Sequence, residues 1–505
     1  MQSDVIHTRK YRERLLKDQH RPTYHFAISD DNGYPGDSNG AFYADGVYHL
    51  MYLYRNSETN AFQWGHISSL DLLHWRHHPD ALTTFEGDEG CFSGGGFVDD
   101  DRTAYLTFWK FPSKDNNKDK GGIAIAYAKP PYDEWKRLEP IAVESSLIWG
   151  STDITYNGEN RHVCCADPSN IWKMNGRYYM QTGNKVVLDA YGRNDDSPEK
   201  YKGDWTDLFR SDDLEKWEYV GRFYDNPQKG VNDWPDETED DMCPSFLPLY
   251  DAEENGIFTG KYLQLFISHN KGCQYYIGRL DKERFIPEQH GRMSWKDSAY
   301  FAPEGLVDGK NRQIIWAWLR DNLTDDFKRF GWSGVFGIPR NIWYADGKLN
   351  MAPVSELEAL EYDHIAYDPA DGKKVKVGDG SKCRIKGIWN GEGRSGVAVR
   401  VSKDGAEYTQ IYYSQEERKL IMDTTMSGNE GWKVREEAPL ELEDGEDLSL
   451  DILIDNSVIE VYANKRQAIC RRVYPTDPKN SVGVKLIGSR PKRLDTYRMF
   501  PSNPY

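Results

Sequence analysis

The sequence has no long hydrophobic run and no excess of basic residues. None of its 505 residues belongs to a stretch of about 18 apolar residues, the length that a membrane-spanning helix needs. The formal net charge is −17 and the basic residues do not cluster, so a polyanionic partner would be repelled. We therefore expect a soluble protein that binds neither nucleic acid nor a membrane.

Cysteine is also scarce. The 7 cysteines form no C-x-x-C pair and no zinc-ligand spacing, and their odd number excludes a complete disulfide framework. Reduced thiols are typical of the cytosol. The first residues of the sequence contain no apolar segment of the kind that secretion signals carry. These features predict a cytoplasmic protein.

Aromatic residues, glycine and proline are abundant. Phe, Trp and Tyr make up 13% of the chain, with 44 Gly and 24 Pro. Aromatic and β-branched runs alternate between turn residues, whereas helical periodicity is rare, so the fold is predicted to be all-β. Most of the aromatic side chains are expected in the sheet core, although sugar sites also use them because a sugar ring stacks on their faces.

An internal repeat indicates the architecture. The pattern S-x-D-L-x-x-W occurs at residues 69–75 and again at 211–217, with weaker versions at 132–135 and 278–285. The aromatic ends of these segments are about 60 to 80 residues apart, which is the length of a four-stranded propeller blade with generous loops. Residues 24–350 have room for five such blades, and we predict a five-bladed β-propeller there.

The texture of the sequence changes after the predicted propeller. Residues 351–362 form a linker that includes a short helix-like segment, and residues 363–505 return to alternating β patterns. This second region is predicted to be a β-sandwich. Residues 1–23 are assigned to an N-terminal extension.

Three acidic sites lie next to predicted strands. Asp37 precedes Ser-Asn-Gly, Asp167 precedes Pro-Ser-Asn, and the acidic run 239–241 precedes Met-Cys-Pro. Each is typical of a turn or a solvated loop when taken alone. Together they fit the cleavage of a glycosidic bond, which needs one carboxylate as nucleophile and another as proton donor. Carboxylates from separate blades would meet in the central funnel of a propeller.

Ordered sequence blocks carry a resemblance to a known enzyme family. They are residues 34–40 (W-M-N-D-P-N-G in the family), 64–75 (W-G-H-x-x-S-x-D-L-x-x-W), 91–95 (F-S-G-S), 166–168 (R-D-P), 242–246 (E-C-P-D-F), 300–304 (A-P-Q), 331–340 (G-W-x-G-x-x-x-x-P-R) and 453–462 (F-V-D-x-S-x-x-E-V-F). With these blocks the chain resembles glycoside hydrolase family 32, which contains invertases, levanases and inulinases. The resemblance implies a five-bladed propeller, a C-terminal β-sandwich and retention of anomeric configuration without a metal or cofactor.

The resemblance also implies roles for single residues. Asp37 matches the nucleophile, and Asp167 matches the carboxylate that stabilises the oxocarbenium-like transition state. The residues that match the pocket of the terminal fructosyl ring are Asn39, Trp64, Phe92 and Ser93. The implied activity is hydrolysis of β-D-fructofuranosides such as sucrose, fructo-oligosaccharides or fructan, with an oligosaccharide or polysaccharide as the partner.

Several positions depart from the family pattern. Met242 occupies the position of the acid/base glutamate and cannot carry a proton, and Ala166 replaces the arginine of R-D-P. Gly36 stands before the nucleophile in place of asparagine, and in the following strand Leu53 and Arg55 replace glutamine and asparagine. Such a pocket need not prefer sucrose or ordinary fructan.

The proton donor must then come from another residue. Asp241 is the predicted acid/base, with Glu239 and Asp240 as alternatives. A regular strand puts Asp240 on the face of Met242, a one-residue bulge brings Asp241 there, and Glu239 has the longer reach. The acidic run also fits an alternative in which all three residues are solvated loop carboxylates and the protein has no acid/base residue.

Two other functions compete with a fructosidase. A hydrolase of another furanoside, such as an arabinofuranoside, would share the plan of three carboxylates on a propeller. A non-catalytic sugar-binding propeller is favoured by Met242, but the presence of Asp37 and Asp167 is against it. Fold alone does not decide between them.

Overall fold

The computed structural model describes residues 13, 17–28, 36–56, 59–84, 89–113, 120–146, 149–191, 203–226, 234–235, 238–323 and 332–502. Most of the predicted N-terminal extension (1–23), and the first two residues of the 34–40 block, lie outside this described part. Strands dominate, and short helical segments occur at Lys185–Tyr191, Ser355–Leu360 and Pro369–Asp371.

Five antiparallel sheets, which we call blades 1 to 5, follow one another along the first two thirds of the chain. Before them lies strand β1 (Ala27–Ile28). Blade 1 contains β2 (Ser38–Ala44), β3 (Val47–Arg55), β4 (Phe62–Ser69) and β5 (Arg76–His77). Blade 2 contains β6 (Gly96–Val98), β7 (Ala104–Lys110), β8 (Gly122–Ala128), β9 (Lys136–Arg137) and β10 (Val143–Glu144).

The remaining blades have four strands each. A two-stranded ribbon, β11 (Ser151–Tyr156) and β12 (Glu159–Cys164), precedes blade 3. Blade 3 contains β13 (Trp172–Met174), β14 (Arg177–Thr182), β15 (Trp205–Ser211) and β16 (Glu218–Asp225). Blade 4 contains β17 (Met242–Tyr250), β18 (Phe258–Ser268), β19 (Gly272–Asp281) and β20 (Arg284–Arg292). Blade 5 contains β21 (Tyr300–Val307), β22 (Gln313–Leu319), β24 (Arg340–Ala345) and β25 (Lys348–Pro353), while the short β23 (Ser333–Val335) pairs with β1.

The blades are arranged around a centre that their first strands share. Strand β2 contacts both β6 and β21, and β17 contacts β21. The aromatic ends of the sequence repeat mark the other side of blades 1 to 4, because Trp75, Trp135 and Trp217 directly precede β5, β9 and β16, and Phe285 lies in β20. The repeat therefore corresponds to the entry into the last strands of the blades. The predicted propeller is confirmed, and its five sheets are consistent with the predicted five blades.

Two six-stranded sheets follow the propeller. One has the order β26 (Glu361–Ala366), β37 (Arg493–Met499), β28 (Lys382–Trp389), β33 (Leu448–Asp455), β34 (Val458–Ala463) and β35 (Gln467–Arg472). The other has the order β27 (Lys374–Val375), β36 (Gly483–Gly488), β29 (Arg394–Val401), β30 (Thr409–Ser414), β31 (Lys419–Asp423) and β32 (Arg435–Pro439). Apolar side chains from both sheets form one buried core, as in a β-sandwich.

A buried ionic cluster joins the propeller to the sandwich. Nδ1 of His25 lies 3.1 Å from the Asp455 carboxylate, and Nε2 lies 3.1 Å from that of Glu460. The Asp455 carboxylate also accepts hydrogen bonds from the backbone N–H groups of Thr23, Tyr24 and His25. Although burial opposes it, these two carboxylates raise the pKa of His25 to about 9. The segment before β1 is thus fixed to strands β33 and β34.

Candidate active site

A cavity of about 640 Å³ opens at the centre of the propeller. Its walls come from blades 1, 2, 4 and 5, from the segment that leads into blade 3 and from the helix Lys185–Tyr191. The lining residues are Gly36, Asp37, Leu53, Phe62, Phe92, Ser93, Trp109, Trp149, Asp167, Lys185, Leu188, Asp189, Met242, His269, Phe301, Trp318 and Arg320. The volume is ample for a sugar ring and the beginning of a second one.

Asp37 and Asp167 lie side by side at the base of this cavity. Asp37 directly precedes β2, and Asp167 stands in the turn that leads into blade 3. The Sγ atom of Cys243 lies 3.8 Å from Oδ2 of Asp37 and 3.6 Å from Oδ2 of Asp167, so both carboxylates contact the same thiol. The hydroxyl of Ser93 donates a hydrogen bond to Asp37. The structure therefore brings together two carboxylates that are 130 positions apart in the sequence.

Burial sets the protonation of this pair. Burial raises the pKa of Asp37, against the opposing effects of the Ser93 hydrogen bond and of the Arg320 charge. Burial and then the negative charge of Asp37 raise the pKa of Asp167 to about 7. Two adjacent carboxylates resist simultaneous ionisation, which separates their titrations. Asp167 also has a φ of 40°, in the left-handed region that ordinary residues rarely adopt.

Aromatic rings form one wall of the cavity. The ring centroids of Trp109 and Trp149 are 4.4 Å apart, and Phe92 lies 5.3 Å from Trp109. All three rings line the cavity next to the paired carboxylates. Such a surface can stack on the C–H face of a sugar. Of these three rings, only that of Phe92 was predicted to contact the sugar, because Trp109 and Trp149 belong to no recognisable motif.

Asn39 and Trp64, which were predicted to contact the sugar, are buried behind the wall. The Asn39 side chain donates to the backbone carbonyl of Asp37 and accepts from the N–H of Gly94. The Trp64 indole donates to the carbonyl of Phe92 at 3.2 Å. In the structure these two side chains therefore hold the backbone of the residues that line the cavity, and direct sugar contact by either stays a prediction.

Asp241 and Glu239 point away from the cavity. The Asp241 carboxylate accepts a hydrogen bond from the Tyr224 hydroxyl at 2.8 Å, and burial with the charges of Asp204 and Glu239 raises its pKa well above the ordinary value. Glu239 is held by Lys271 and by the Gln274 amide. Neither residue lines the cavity, and the acid/base role predicted for them stays a prediction.

Asp240 alone of the acidic run contacts a residue of the cavity wall. Its Oδ2 accepts the backbone N–H of His269 at 3.1 Å and lies 3.3 Å from Nδ1 of that residue. His269 lines the cavity, and its charge lowers the pKa values of both Asp37 and Asp167. No motif had singled out His269, because it directly follows a strand in a segment without a distinctive pattern.

The departures from the family pattern concentrate at this cavity. Gly36, Leu53 and Met242 all line it, where the family has asparagine, glutamine and glutamate. Ala166 is buried directly before Asp167. Arg320 brings a guanidinium to the cavity wall, 4.4 Å from the ring centroid of Phe301. Compared with the family pattern, the pocket therefore lacks polar groups near Asp37, and its wall includes the cation of Arg320.

Among the described residues, one group of side chains could hold a metal ion. The ring nitrogens of His49, His66 and His78 lie within 4.8 Å of one another, outside the cavity. The rings of His66 and His78 stack at 4.2 Å with 18° between their planes, and both nitrogens of His78 are bonded, to Ser68 and to Asp133. Nearly parallel rings do not direct their lone pairs at one point, so the arrangement favours a hydrogen-bonded stack over a metal site.

The fold and the cavity together define a class of protein. A five-bladed propeller with adjacent buried carboxylates beside an aromatic wall, followed by a β-sandwich, is the architecture of a propeller glycosidase. In the described part of the chain, the helices are all too short or too polar to cross a bilayer.

Comparison with known proteins gives the particular family. The profile of the "Glycosyl hydrolases family 32 N-terminal domain" matches residues 25–353, and that of "Glycosyl hydrolases family 32 C terminal" matches residues 365–495. The chain belongs to glycosyl hydrolase family 32. It is a glycosidase that acts on O-glycosyl bonds, and the class predicted from the sequence, a glycoside hydrolase, is confirmed.

Similar proteins are found over the whole length. A fructan 6-exohydrolase of Beta vulgaris is 26% identical, covering 91% of this chain and 82% of the relative. A sucrose-6-phosphate hydrolase of Zymomonas mobilis is also 26% identical, covering 98% and 93%. The crystal structure of fructan 1-exohydrolase IIa from Cichorium intybus superposes with a TM-score of 0.76 at 20% identity, covering 96% of this chain and 98% of that one. The likeness of the two folds extends over both domains.

Proposed function

We propose that this glycosidase hydrolyses a terminal β-D-fructofuranosyl bond with retention of configuration, and that Asp37 is its nucleophile. The observation that carries the proposal is the contact of Asp37 and Asp167 with one thiol at the base of an aromatic-walled cavity. The names of the relatives, which include fructan exohydrolases and a sucrose-6-phosphate hydrolase, agree with a fructoside substrate. Sucrose, fructo-oligosaccharides and fructan are the substrates to test first.

Asp37 is suited to attack because of its surroundings. Its carboxylate is fixed by the Ser93 hydroxyl at the base of the cavity, where a bound furanose would present its anomeric carbon. A buried carboxylate with a raised pKa is more nucleophilic than a solvated one once it is ionised. The Arg320 charge favours that ionised form. The product of the attack is a covalent fructosyl-enzyme ester.

Asp167 stabilises the transition state in this proposal. Its pKa of about 7 reflects burial and the charge of Asp37. When Asp37 gives its charge to the new ester bond, the repulsion falls, and the ionised form of Asp167 is favoured beside the developing oxocarbenium ion. Ala166 replaces the arginine of R-D-P. The charge of Asp167 must therefore act through direct hydrogen bonds to sugar hydroxyls.

The sequence predicts a proton donor on the acidic run, Asp241 with Glu239 and Asp240 as alternatives, and the proposal keeps the donor either on this run or on a side chain that the run positions. The contacts described above favour Asp240 among the three, since its carboxylate touches a residue of the cavity wall. Asp241 and Glu239 could donate a proton only after leaving their buried partners.

The test is to incubate the protein with sucrose, inulin and levan and to measure released fructose. Methanol added to the same reaction should give methyl β-D-fructofuranoside, the transfer product of a retaining enzyme. The α-anomer would contradict the covalent intermediate. An arabinofuranoside should be cleaved at least about 100-fold more slowly, because it lacks the second hydroxymethyl group that a fructosyl pocket holds. Binding of fructosides without any cleavage would favour the non-catalytic propeller.

A further inference from the structure

One ionisable side chain lies beside the position of the missing glutamate. Met242 pairs with Ile267 on the neighbouring strand β18. His269 comes two residues after Ile267 and directly follows the end of that strand. Both Met242 and His269 line the cavity. We propose that His269, positioned by Asp240, is the proton donor that replaces the glutamate of the family. This inference rests on the proposed function.

The contact with Asp240 orients the imidazole. The carboxylate binds both the backbone N–H of His269, at 3.1 Å, and its Nδ1, at 3.3 Å. The Asp240 side chain is 7% exposed and the His269 side chain 19%, so the pair is shielded from bulk water. The ring also packs edge-on against Phe301, with centroids 5.7 Å apart and planes at 73°. A carboxylate on Nδ1 stabilises the imidazolium and makes Nε2 the nitrogen that exchanges its proton.

Charged groups from several blades surround this imidazole. Asp240 precedes blade 4, Asp37 precedes blade 1, Asp167 leads into blade 3 and Arg320 follows strand β22 within blade 5. The charge of His269 acts on both Asp37 and Asp167. Three carboxylates favour the imidazolium, and one guanidinium opposes it. A protonated His269 is therefore the expected form before substrate is cleaved.

The position of His269 allows both halves of a double displacement. In the first, an Asp37 oxygen bonds to the anomeric carbon, the bond to the leaving oxygen breaks, and the Nε2 proton moves to that oxygen. In the second, a water oxygen attacks the anomeric carbon, its proton moves to Nε2, and the ester bond to Asp37 breaks. The imidazole is regenerated as imidazolium, and no further reactant is required.

The experiment compares two leaving groups in His269→Gln. A natural fructoside needs a proton on its leaving oxygen, whereas an aryl β-D-fructofuranoside has a good leaving group and needs little help. We expect kcat on the natural substrate to fall about 10³-fold and kcat on the aryl substrate to fall less than about 10-fold. His364→Gln is the matched control, because His364 also pairs with an aspartate, Asp495 at 2.7 Å, but in the sandwich. It should change neither rate.

Two further measurements distinguish a proton donor from a structural histidine. His269→Ala should regain activity on the natural substrate when free imidazole is added, and the basic limb of its pH profile should be absent without imidazole. Asp240→Asn should move that basic limb to lower pH, because the imidazolium loses a stabilising charge. Equal loss on both substrates by His269→Gln, or an unchanged basic limb, would overturn the inference.

The proposed function and this inference fail in different ways. If the wild type cleaves no fructoside of either kind, the proposed function fails. If the wild type cleaves the natural substrate and His269→Gln does so at the same rate, only the inference fails. The donor would then be sought by the same comparison in Asp241→Asn and Glu239→Gln.

Discussion

Two regions of the molecule hold carboxylates away from bulk water, and they do so with opposite consequences for the pKa. At the base of the cavity, burial raises the pKa of both Asp37 and Asp167. At the contact between the domains, Asp455 and Glu460 are completely buried, which alone would raise their pKa, yet the charge and hydrogen bonds of His25 lower the pKa of both. At the domain contact, both carboxylates pair with the imidazolium of His25. In the cavity, both carboxylates contact the thiol of Cys243, which carries no compensating charge.

The difference separates structural from chemical use of buried charge. A buried ion pair destabilises the folded protein strongly when one of its partners is removed. The ion pairs at the domain contact therefore fix one arrangement of the two domains. Adjacent like charges raise the free energy of the folded state and are tolerated where the strain serves a reaction. Substitutions in the cavity should therefore reduce activity and spare stability, while substitutions at the domain contact should do the reverse.

The largest effect is expected for Asp37→Asn. This variant keeps the shape of the nucleophile but not its charge, so kcat/KM for a fructoside should fall by about 10⁴-fold. The melting temperature should stay the same or rise, because Asp167 loses a like charge at close range. Fructose release and calorimetry measure the two quantities. The control is Asp153→Asn, at an exposed aspartate that pairs with His162. It should keep both the kcat/KM and the melting temperature of the wild type. A variant with near-wild-type turnover would refute the role of Asp37.

The second effect is on stability and concerns His25→Gln. The substitution leaves two buried carboxylates without their cation, which should lower the free energy of unfolding by about 3 kcal/mol. Turnover per folded molecule at room temperature should change little, because His25 lies outside the cavity. Urea denaturation and initial rates test both statements. His364→Gln removes a half-exposed ion pair and should cost less than about 1 kcal/mol. A loss of activity in His25→Gln without a loss of stability would remove the distinction between the two regions.

The pH dependence of the domain contact sharpens the same comparison. Because the pKa of His25 is raised to about 9, its stabilising contribution is complete below its ordinary value of 6.5 and is lost as pH rises through about 9. For Asp455 and Glu460 the pKa is lowered, so their contribution is present above the ordinary values and is lost only in acid. The difference in unfolding free energy between wild type and His25→Gln should therefore shrink between about pH 6.5 and 9. A constant difference across that interval would show that His25 is neutral in the folded protein.

Much of the fold could be predicted because its signals are local. In the repeat S-x-D-L-x-x-W, the Asp71 carboxylate accepts the backbone N–H groups of Leu73 and His74, and Asp213 does the same for Glu215 and Lys216. These turns depend on residues two or three positions apart, so they are visible in the sequence. The position of Asp37 was predictable for a related reason, since this residue directly precedes the first strand of a blade.

The surroundings of the acidic run could not be predicted in the same way. A regular strand or a single bulge was expected before Met242, but Asp241 and Cys243 have φ values of 46° and 48°, and the register shifts between Met242 and Ser245. Two residues in the left-handed region turn the carboxylates of the acidic run to different sides. His269 comes from another strand, and only the pairing of β17 with β18 brings it to the cavity. No spacing in the sequence reports such a contact.

A smaller effect is expected below the cavity, at Glu304. This carboxyl replaces the glutamine of the family block A-P-Q and accepts hydrogen bonds from the Ala41 N–H, at 3.1 Å, and from the Ser245 hydroxyl, at 2.9 Å. Burial raises its pKa to about 8. The pKa of Glu304 in the folded protein is higher than its ordinary value of 4.5. The stability that the neutral carboxyl contributes is therefore complete below pH 4.5 and is lost as pH rises through about 8.

Glu304→Gln preserves the shape of this side chain and an acceptor oxygen but cannot ionise. We expect it to match the wild type within about 1 kcal/mol at low pH, where the carboxyl is already neutral, and to be more stable by about 2 kcal/mol near pH 9. Urea denaturation at the two pH values measures the change, and activity should stay near that of the wild type because Glu304 does not line the cavity. If the variant were instead less stable near pH 9, the carboxylate would be compensated in the folded state. Glu304 would then belong with Asp455 and Glu460, and the centre of the propeller would bury charge in the same way as the domain contact.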